Sequence, residues 1–192
     1  MQTHITHYFD LKAIPQEDMT EDLIISELME RLHLLLVSTN LKGQIGIGFP
    51  NYNLNKRLGG IIRVFSSEAL LTDFEKAVRA DSTIRDYSIV TDGKRVPEHV
   101  DKHVVFARLR SGHLSKSQIR RYKKRHPDKW TEDVVEQALD NRERLFGIPH
   151  FKMNSGSNKQ HFTIWVKRQE KPETIGEFGS YGLSNKATVP IF

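Results

Sequence analysis

Residues 61–78 read Ile-Ile-Arg-Val-Phe-Ser-Ser-Glu-Ala-Leu-Leu-Thr-Asp-Phe-Glu-Lys-Ala-Val, and the change of rhythm within them decides the fold. Ile61 to Phe65, opened by Gly59-Gly60, are mostly β-branched or aromatic and read as a strand. Ser66 or Ser67 can then cap a helix in which Leu70, Leu71, Phe74 and Val78 return at helical spacing. Upstream, Gln44–Phe49 predicts a short strand interrupted by Gly46 and Gly48 and stopped at Pro50. Before it, Thr20 can cap a helix whose first turn holds Glu21 and Asp22, with Leu23, Ile24, Leu28, Leu32, Leu35 and Leu36 turned inward. His7–Ile14 predicts a strand that enters a turn at Pro15. Downstream, Asp86–Thr91 predicts another, ending at Asp92-Gly93. The order is β-α-β-β-α-β, the split unit of a ferredoxin-like domain.

A second, smaller α+β domain is expected after it, with residues 1–97 and 98–192 as the two units. Val104–Arg110 alternates, so Phe106, Arg108 and Arg110 share one face while Val105, Ala107 and Leu109 share the other. Gly112 breaks that strand, Ser115 can cap a helix over Lys116–Arg125, and Pro127 ends it. Thr131 can cap a further helix from Glu132 to about Leu145. Gly147-Ile148-Pro149 is a turn, His161–Val166 a strand, and the tail Tyr181–Phe192 carries a glycine and ends apolar.

The chain has 192 residues, 38% hydrophobic, and no cysteine. That excludes a disulfide framework, a cysteine-ligated zinc and a thiol nucleophile. No run approaches the roughly 18 apolar residues that span a bilayer, and the start lacks the basic and apolar segments of a signal peptide. The expectation is a cytoplasmic protein with no membrane partner. Charge is more informative. Residues 1–100 carry a net of −3 and residues 101–192 a net of +8. Residues 108–129 alone hold nine lysines and arginines against one acid, Asp128, so this stretch accounts for the whole excess. A solvated helix face normally interleaves glutamate with lysine; this one does not, and a polyanion such as nucleic acid is the partner it fits.

Candidate chemistry is sparse. His4/His7 and His99/His103 have spacings that can bind metal, but no third ligand follows in a familiar order. No P-loop or dinucleotide glycine pattern occurs, and the strands lack the aromatic signature of an RNA-recognition motif. His33 lies about 100° round the helix from Leu32, which suits either a half-buried ring packed against the core or a histidine with a task. Ser155 and Ser157 in Met-Asn-Ser-Gly-Ser-Asn-Lys fit a hairpin loop or a site, and Tyr181 in Gly-Ser-Tyr-Gly-Leu-Ser a turn aromatic or a site.

Taken in order, Leu32-His33, Gly46–Pro50, Arg-Arg-Tyr-Lys-Lys-Arg-His at 120–126, Ser-x-Ser-x-x-Gln-His-Phe at 155–162 and Tyr-Gly-Leu-Ser at 181–184 resemble one family. It is the CRISPR-associated endoribonuclease of subtype I-F, the Csy-type repeat-processing protein, and the resemblance runs nearly the whole chain. It implies a metal-independent enzyme, without cofactor, that binds a repeat hairpin of precursor RNA. The RNA is cut at the 3′ base of the stem, leaving a 2′,3′-cyclic phosphate and a 5′-hydroxyl, and the enzyme stays bound to its product. Residue by residue, His33 falls on the catalytic histidine, Ser155 on the active-site serine and Tyr181 on the active-site tyrosine. Arg108 and Arg110 fall where bases are read. Lys116, Arg120, Arg121, Lys124, Arg125 and Ser157 fall where phosphates are met, and Phe162 on an aromatic that stacks under the last base pair. A core phenylalanine is the other reading of Phe162. The chain departs from the family pattern at Arg110, where glutamine is usual, so a different base is expected there. Lysines replace arginines at Lys123 and Lys124, trading forked contacts for point charges. Further partners implied are the other subunits of the subtype I-F surveillance complex. Two rivals remain: a non-catalytic hairpin-binding subunit of an interference or transposon-targeting complex, and a DNA-binding protein that uses the basic helix.

Overall fold

Alternation along β1 (His7–Ala13) sends Phe9 and Leu11, both fully buried, to one face and Tyr8, Asp10 and Lys12 to the other. The computed structural model describes residues 4–53, 57–109, 116–129, 131, 133, 145, 147–154 and 161–192. In it β1 is central to an antiparallel sheet with β2 (Gly46–Gly48), β3 (Ile61–Ser66) and β4 (Ser88–Val90), ordered β2-β3-β1-β4. A two-residue strand, β5 (Lys94–Arg95), pairs with the start of β1. Phe9 lies opposite Val64, Leu11 opposite Ile62, and Ile47 opposite Val64, so these five residues make one apolar face. Two helices cover it. α1 (Glu21–Ser38) buries Ile24, Ile25, Leu28, Met29, Leu32 and Leu36, and α2 (Glu68–Ala80) buries Leu71, Phe74 and Val78. Each such side chain contributes about 1.5–3 kcal/mol when fully removed from water.

Two sequence expectations need correction here. Leu23, placed on the buried stripe of α1, is 45% exposed. It precedes Leu32 by nine residues, about 180° of helix, and so points the opposite way. The strand expected over Asp86–Thr91 is shorter, because Asp86 and Tyr87 close a six-residue helix, α3 (Ser82–Tyr87), and only Ser88–Val90 is extended. That helix starts where it does because Asp81 caps it, Oδ1 accepting from the Ile84 N–H at 3.1 Å. The other oxygen, Oδ2, accepts from Arg31 Nε of α1 at 3.0 Å, which ties α3 to α1. Burial by itself would raise the Asp81 carboxyl. The Arg31 hydrogen bond and those from the Ile84 and Thr83 amides outweigh it and hold the group below its ordinary value. A depressed carboxyl stabilises the fold above its unfolded-state value, and that stability is lost as pH falls through the folded value. Asp81→Ala should therefore cost about 1–3 kcal/mol at neutral pH and less at pH 3, which lies below the ordinary carboxylate value. Urea unfolding of both proteins at the two pH values checks this.

The second sheet is also antiparallel and ordered β7-β8-β6-β9, with β6 (Lys102–Leu109), β7 (His150–Asn154), β8 (His161–Glu170) and β9 (Val189–Ile191). β6 keeps the expected alternation, with Phe106 buried on the face that carries Arg108. β8 runs four residues beyond the expected end at Val166, because its tail pairs with β6 as far as Glu170 opposite Val104. β7 and β9 are additional strands. α4 (Lys116–Arg125) forms as expected and is followed by a 3-10 turn at Pro127–Lys129. The Ser115 cap, and the helix from Glu132 to about Leu145 apart from Asp133 and Leu145 themselves, lie outside the described residues.

The two sheets meet across the glycines of β2. A Cβ added at Gly46 would come within 2.8 Å of the Phe178 ring, and one at Gly48 within 3.2 Å of Phe106. Phe49 sets its edge against Phe106 with centroids 5.3 Å apart. Bare backbone at these two positions lets the C-terminal half sit down on β2, with the tighter fit at Gly46. Among the described residues, no helix is long and apolar enough to cross a membrane.

Candidate active site

His33 sits at the margin of the buried stripe of α1, half-buried beside the fully buried Leu32. Its Nδ1–H donates to the Ser180 carbonyl oxygen at 2.7 Å. A carbonyl can only accept, so Nδ1 carries a proton, and the tautomer this contact selects has its lone pair on Nε2. The Tyr181 ring stacks on the imidazole, with centroids 4.4 Å apart and 29° between planes. On the same tyrosine, the Arg108 guanidinium carbon lies 5.4 Å from the ring centroid, within cation–π range. α1, β6 and the C-terminal segment thus deliver three of the candidate residues to one place. A cleft of about 830 Å³ opens beside Arg108 and Tyr181, lined also by Glu177, Ser180, Ser184 and Lys186 among others. Among the described residues, no three histidine, aspartate or glutamate side chains gather closely enough to hold a metal ion.

The turn that carries Ser180 and Tyr181 explains the Tyr-Gly-Leu-Ser motif. Gly182 N–H donates to the Gly179 carbonyl at 2.9 Å, and Gly179 N–H to the Leu183 carbonyl at 2.7 Å. The Gly182 carbonyl in turn accepts from Ile47 N–H of β2 at 2.8 Å, and Leu183 is buried. Gly182 has φ +68°, and a Cβ there would fall 2.5 Å from the Ile47 side chain. Gly182→Ala should cost about 2–4 kcal/mol, from the left-handed backbone plus overpacking. Thermal unfolding of the variant measures that cost. Because the same turn places the Ser180 carbonyl under His33, the site should loosen with it.

The remaining sequence candidates are distributed as follows. Arg120, Arg121, Lys124 and Arg125 are exposed on α4, a helix without an acidic residue. Lys116 begins that helix. Phe162 on β8 is half-buried, opposite Met153 of β7, and packs against the core. Ser155, Ser157 and Arg110 lie outside the described residues. Two features escaped the sequence. One is the Ser180 carbonyl, 147 positions from the histidine it orients. The other is the shared use of the Tyr181 ring by Arg108 and His33. Neither leaves a local pattern, since a backbone acceptor has no residue type and the stack joins three distant elements.

A family model described as CRISPR-associated protein (Cas_Csy4) matches residues 8–192. The chain is 27% identical over 190 residues to the CRISPR-associated endonuclease Cas6/Csy4 of Escherichia coli (strain UTI89 / UPEC), covering 97% of this chain and 99% of that protein. It is also 27% identical over 192 residues to the protein of the same name from Pseudomonas aeruginosa (strain UCBPP-PA14), with 97% and 99% covered. A solved structure described as "An RAMP protein binding different RNA substrates" aligns over 98% of this chain and 100% of its own at 12% identity. Its TM-score of 0.38 is too low to carry an argument. With the family model matched from Tyr8 to the last residue, the chain belongs to the CRISPR-associated protein family Cas_Csy4.

Proposed function

We propose that this protein is a metal-independent endoribonuclease that binds a CRISPR repeat hairpin and cuts it at the 3′ base of the stem. The observation that carries the reading is the orientation of His33, whose Nδ1–H is committed to the Ser180 carbonyl, which makes Nε2 the basic nitrogen of the ring. Nε2 takes the proton of a ribose 2′-hydroxyl, and the oxygen attacks the adjacent phosphorus in line. The bond to the 5′-oxygen breaks, giving a 2′,3′-cyclic phosphate and a 5′-hydroxyl. General base catalysis of this kind contributes about 10²–10⁴-fold. Tyr181 holds the imidazole in place and offers its π-face to the imidazolium that forms. Ser155 aligns the ribose, a positional contribution. The leaving 5′-oxygen takes its proton from water. The two relatives named as CRISPR-associated endonucleases support the coarser part of this reading, internal cleavage of a nucleic acid in a CRISPR setting.

Recognition is divided between two elements. Arg120, Arg121, Lys124 and Arg125, with Lys116 and Ser157, meet stem phosphates, while Arg108 and Arg110 read bases next to the cut and Phe162 stacks under the terminal pair. Residues 1–97 form a ferredoxin-like domain that carries His33, a reading supported by the strand order β2-β3-β1-β4. Residues 98–192 form the hairpin-binding domain. The protein acts in the cytoplasm and keeps its product as a subunit of a subtype I-F complex. Arginine pairs bidentately with guanine, so Arg108→Ala should cost about 1–3 kcal/mol of binding and relax selection at one stem base. The signature is a stem substitution that weakens wild type but not the variant; equal weakening on every stem would make Arg108 a phosphate contact. Incubation with repeat RNA in EDTA tests the function itself. Cutting at the stem base is the expected result, and intact RNA would leave the binding-subunit reading.

A further inference from the structure

β7 is an outer strand of its sheet, so the N–H groups it turns away from β8 need partners other than a strand. Side chains of α1 supply two of them. Lys152 N–H donates to Ser26 Oγ at 3.1 Å, and Asn154 N–H to Glu30 Oε2 at 3.0 Å. The periods agree, since four residues of helix rise about 6 Å and two residues of strand about 6.8 Å. Asn154 adds a second bond, its Nδ2 donating to the same Glu30 oxygen at 3.0 Å. Glu30 therefore holds the last residue of β7 by accepting two hydrogen bonds at one carboxylate oxygen. Three residues further along α1 is His33; the next residue after Asn154 is Ser155.

We infer that Glu30 is a positioning residue for RNA cleavage, a clamp that fixes where the chain enters the Ser155 segment relative to His33. This rests on the proposed roles of His33 and Ser155. A carboxylate next to an RNA site opposes phosphate binding, so its presence there calls for a compensating task. The clamp needs only an acceptor oxygen, not a charge. Glutamine keeps that oxygen and alanine does not, which separates the clamp from any effect of charge.

The experiment is single-turnover cleavage of repeat RNA at saturating protein, with affinity and thermal unfolding measured alongside. Glu30→Ala should cleave about tenfold to a hundredfold more slowly, the scale of an ångström-sized misplacement, with affinity within about threefold of wild type. Glu30→Gln should stay within about threefold of the wild-type rate, because its amide oxygen accepts both bonds. A wild-type rate for Glu30→Ala, or equal slowing by alanine and glutamine, would overturn the clamp. Should Glu30→Ala fail to fold, Asn154→Ala removes the Nδ2 bond without touching α1. Slowing at unchanged affinity would then support the clamp, and a wild-type rate would overturn it. His33→Ala and Ser155→Ala run as references. If both cut normally the proposed function has failed and the clamp with it; if both are slow and Glu30→Ala is not, the clamp alone has failed.

Discussion

His33→Ala should lose repeat-RNA cleavage by about 10²–10⁴-fold, the contribution of a well-placed general base, while binding stays within a few-fold. The separation follows from geometry. The imidazole is half-buried, its Nδ1 is engaged by the Ser180 carbonyl at 2.7 Å, and its face is covered by Tyr181. A single imidazole adds little to attraction for a polyanion beside the basic stretch 108–129, so its removal leaves most of the electrostatic attraction intact. Replacement by alanine should also leave the core in place, because Leu32 and Leu36 rather than His33 fill the fully buried stripe. The assay is single-turnover cleavage paired with a binding titration on the same RNA. Equal losses of cleavage and binding would return His33 to a packing role.

How much of this could be read from residues alone varied by element. β1, β3, α1 and α2 were legible because each buries one face, and burial writes a period of 2 or 3.6 into the sequence. α3 was not. Six residues with one buried apolar side chain, Ile84, carry no period, and the helix is held instead by the Asp81 cap and by Arg31, fifty positions away. Leu23 misled because an apolar residue next to a stripe looks like part of it until its angle is counted. The Gly46 and Gly48 interruption was visible, but its reason, the close approach of Phe178 and Phe106, needed the tertiary structure. At the site, His33 and Tyr181 came forward through resemblance. What sets the tautomer of His33, and what clamps β7 to α1 through Glu30 and Asn154, are contacts 147 and 124 residues apart in the chain.

The basic helix gives the other large effect. α4 reads Lys-Ser-Gln-Ile-Arg-Arg-Tyr-Lys-Lys-Arg, and residues 108–129 carry a net +8 while the remainder of the chain sums to −3. Each cation that neutralises a phosphate releases condensed counterions, so log affinity falls with log salt. Replacing Arg120, Arg121, Lys124 and Arg125 together by alanine should flatten that slope by up to about 3 units. Between 50 and 200 mM salt the wild-type advantage would then shrink by up to about sixty-fold. The loss should be alike for every hairpin sequence, because phosphates carry no base identity. All four residues are exposed, and alanine is a good helix former, so circular dichroism should show the fold intact. An unchanged slope in the folded variant would make α4 a solvated face and move the RNA path elsewhere.

The central claim is that His33 Nε2 activates a ribose 2′-hydroxyl, and this makes the chemistry of the cut ends decisive. The measurement is end-group analysis of the products that wild-type protein forms from repeat RNA in EDTA. A 2′,3′-cyclic phosphate on the upstream fragment and a 5′-hydroxyl on the downstream one is the expected result. A 5′-phosphate paired with a 3′-hydroxyl would mean that water, not the 2′-oxygen, attacks, and would contradict the account.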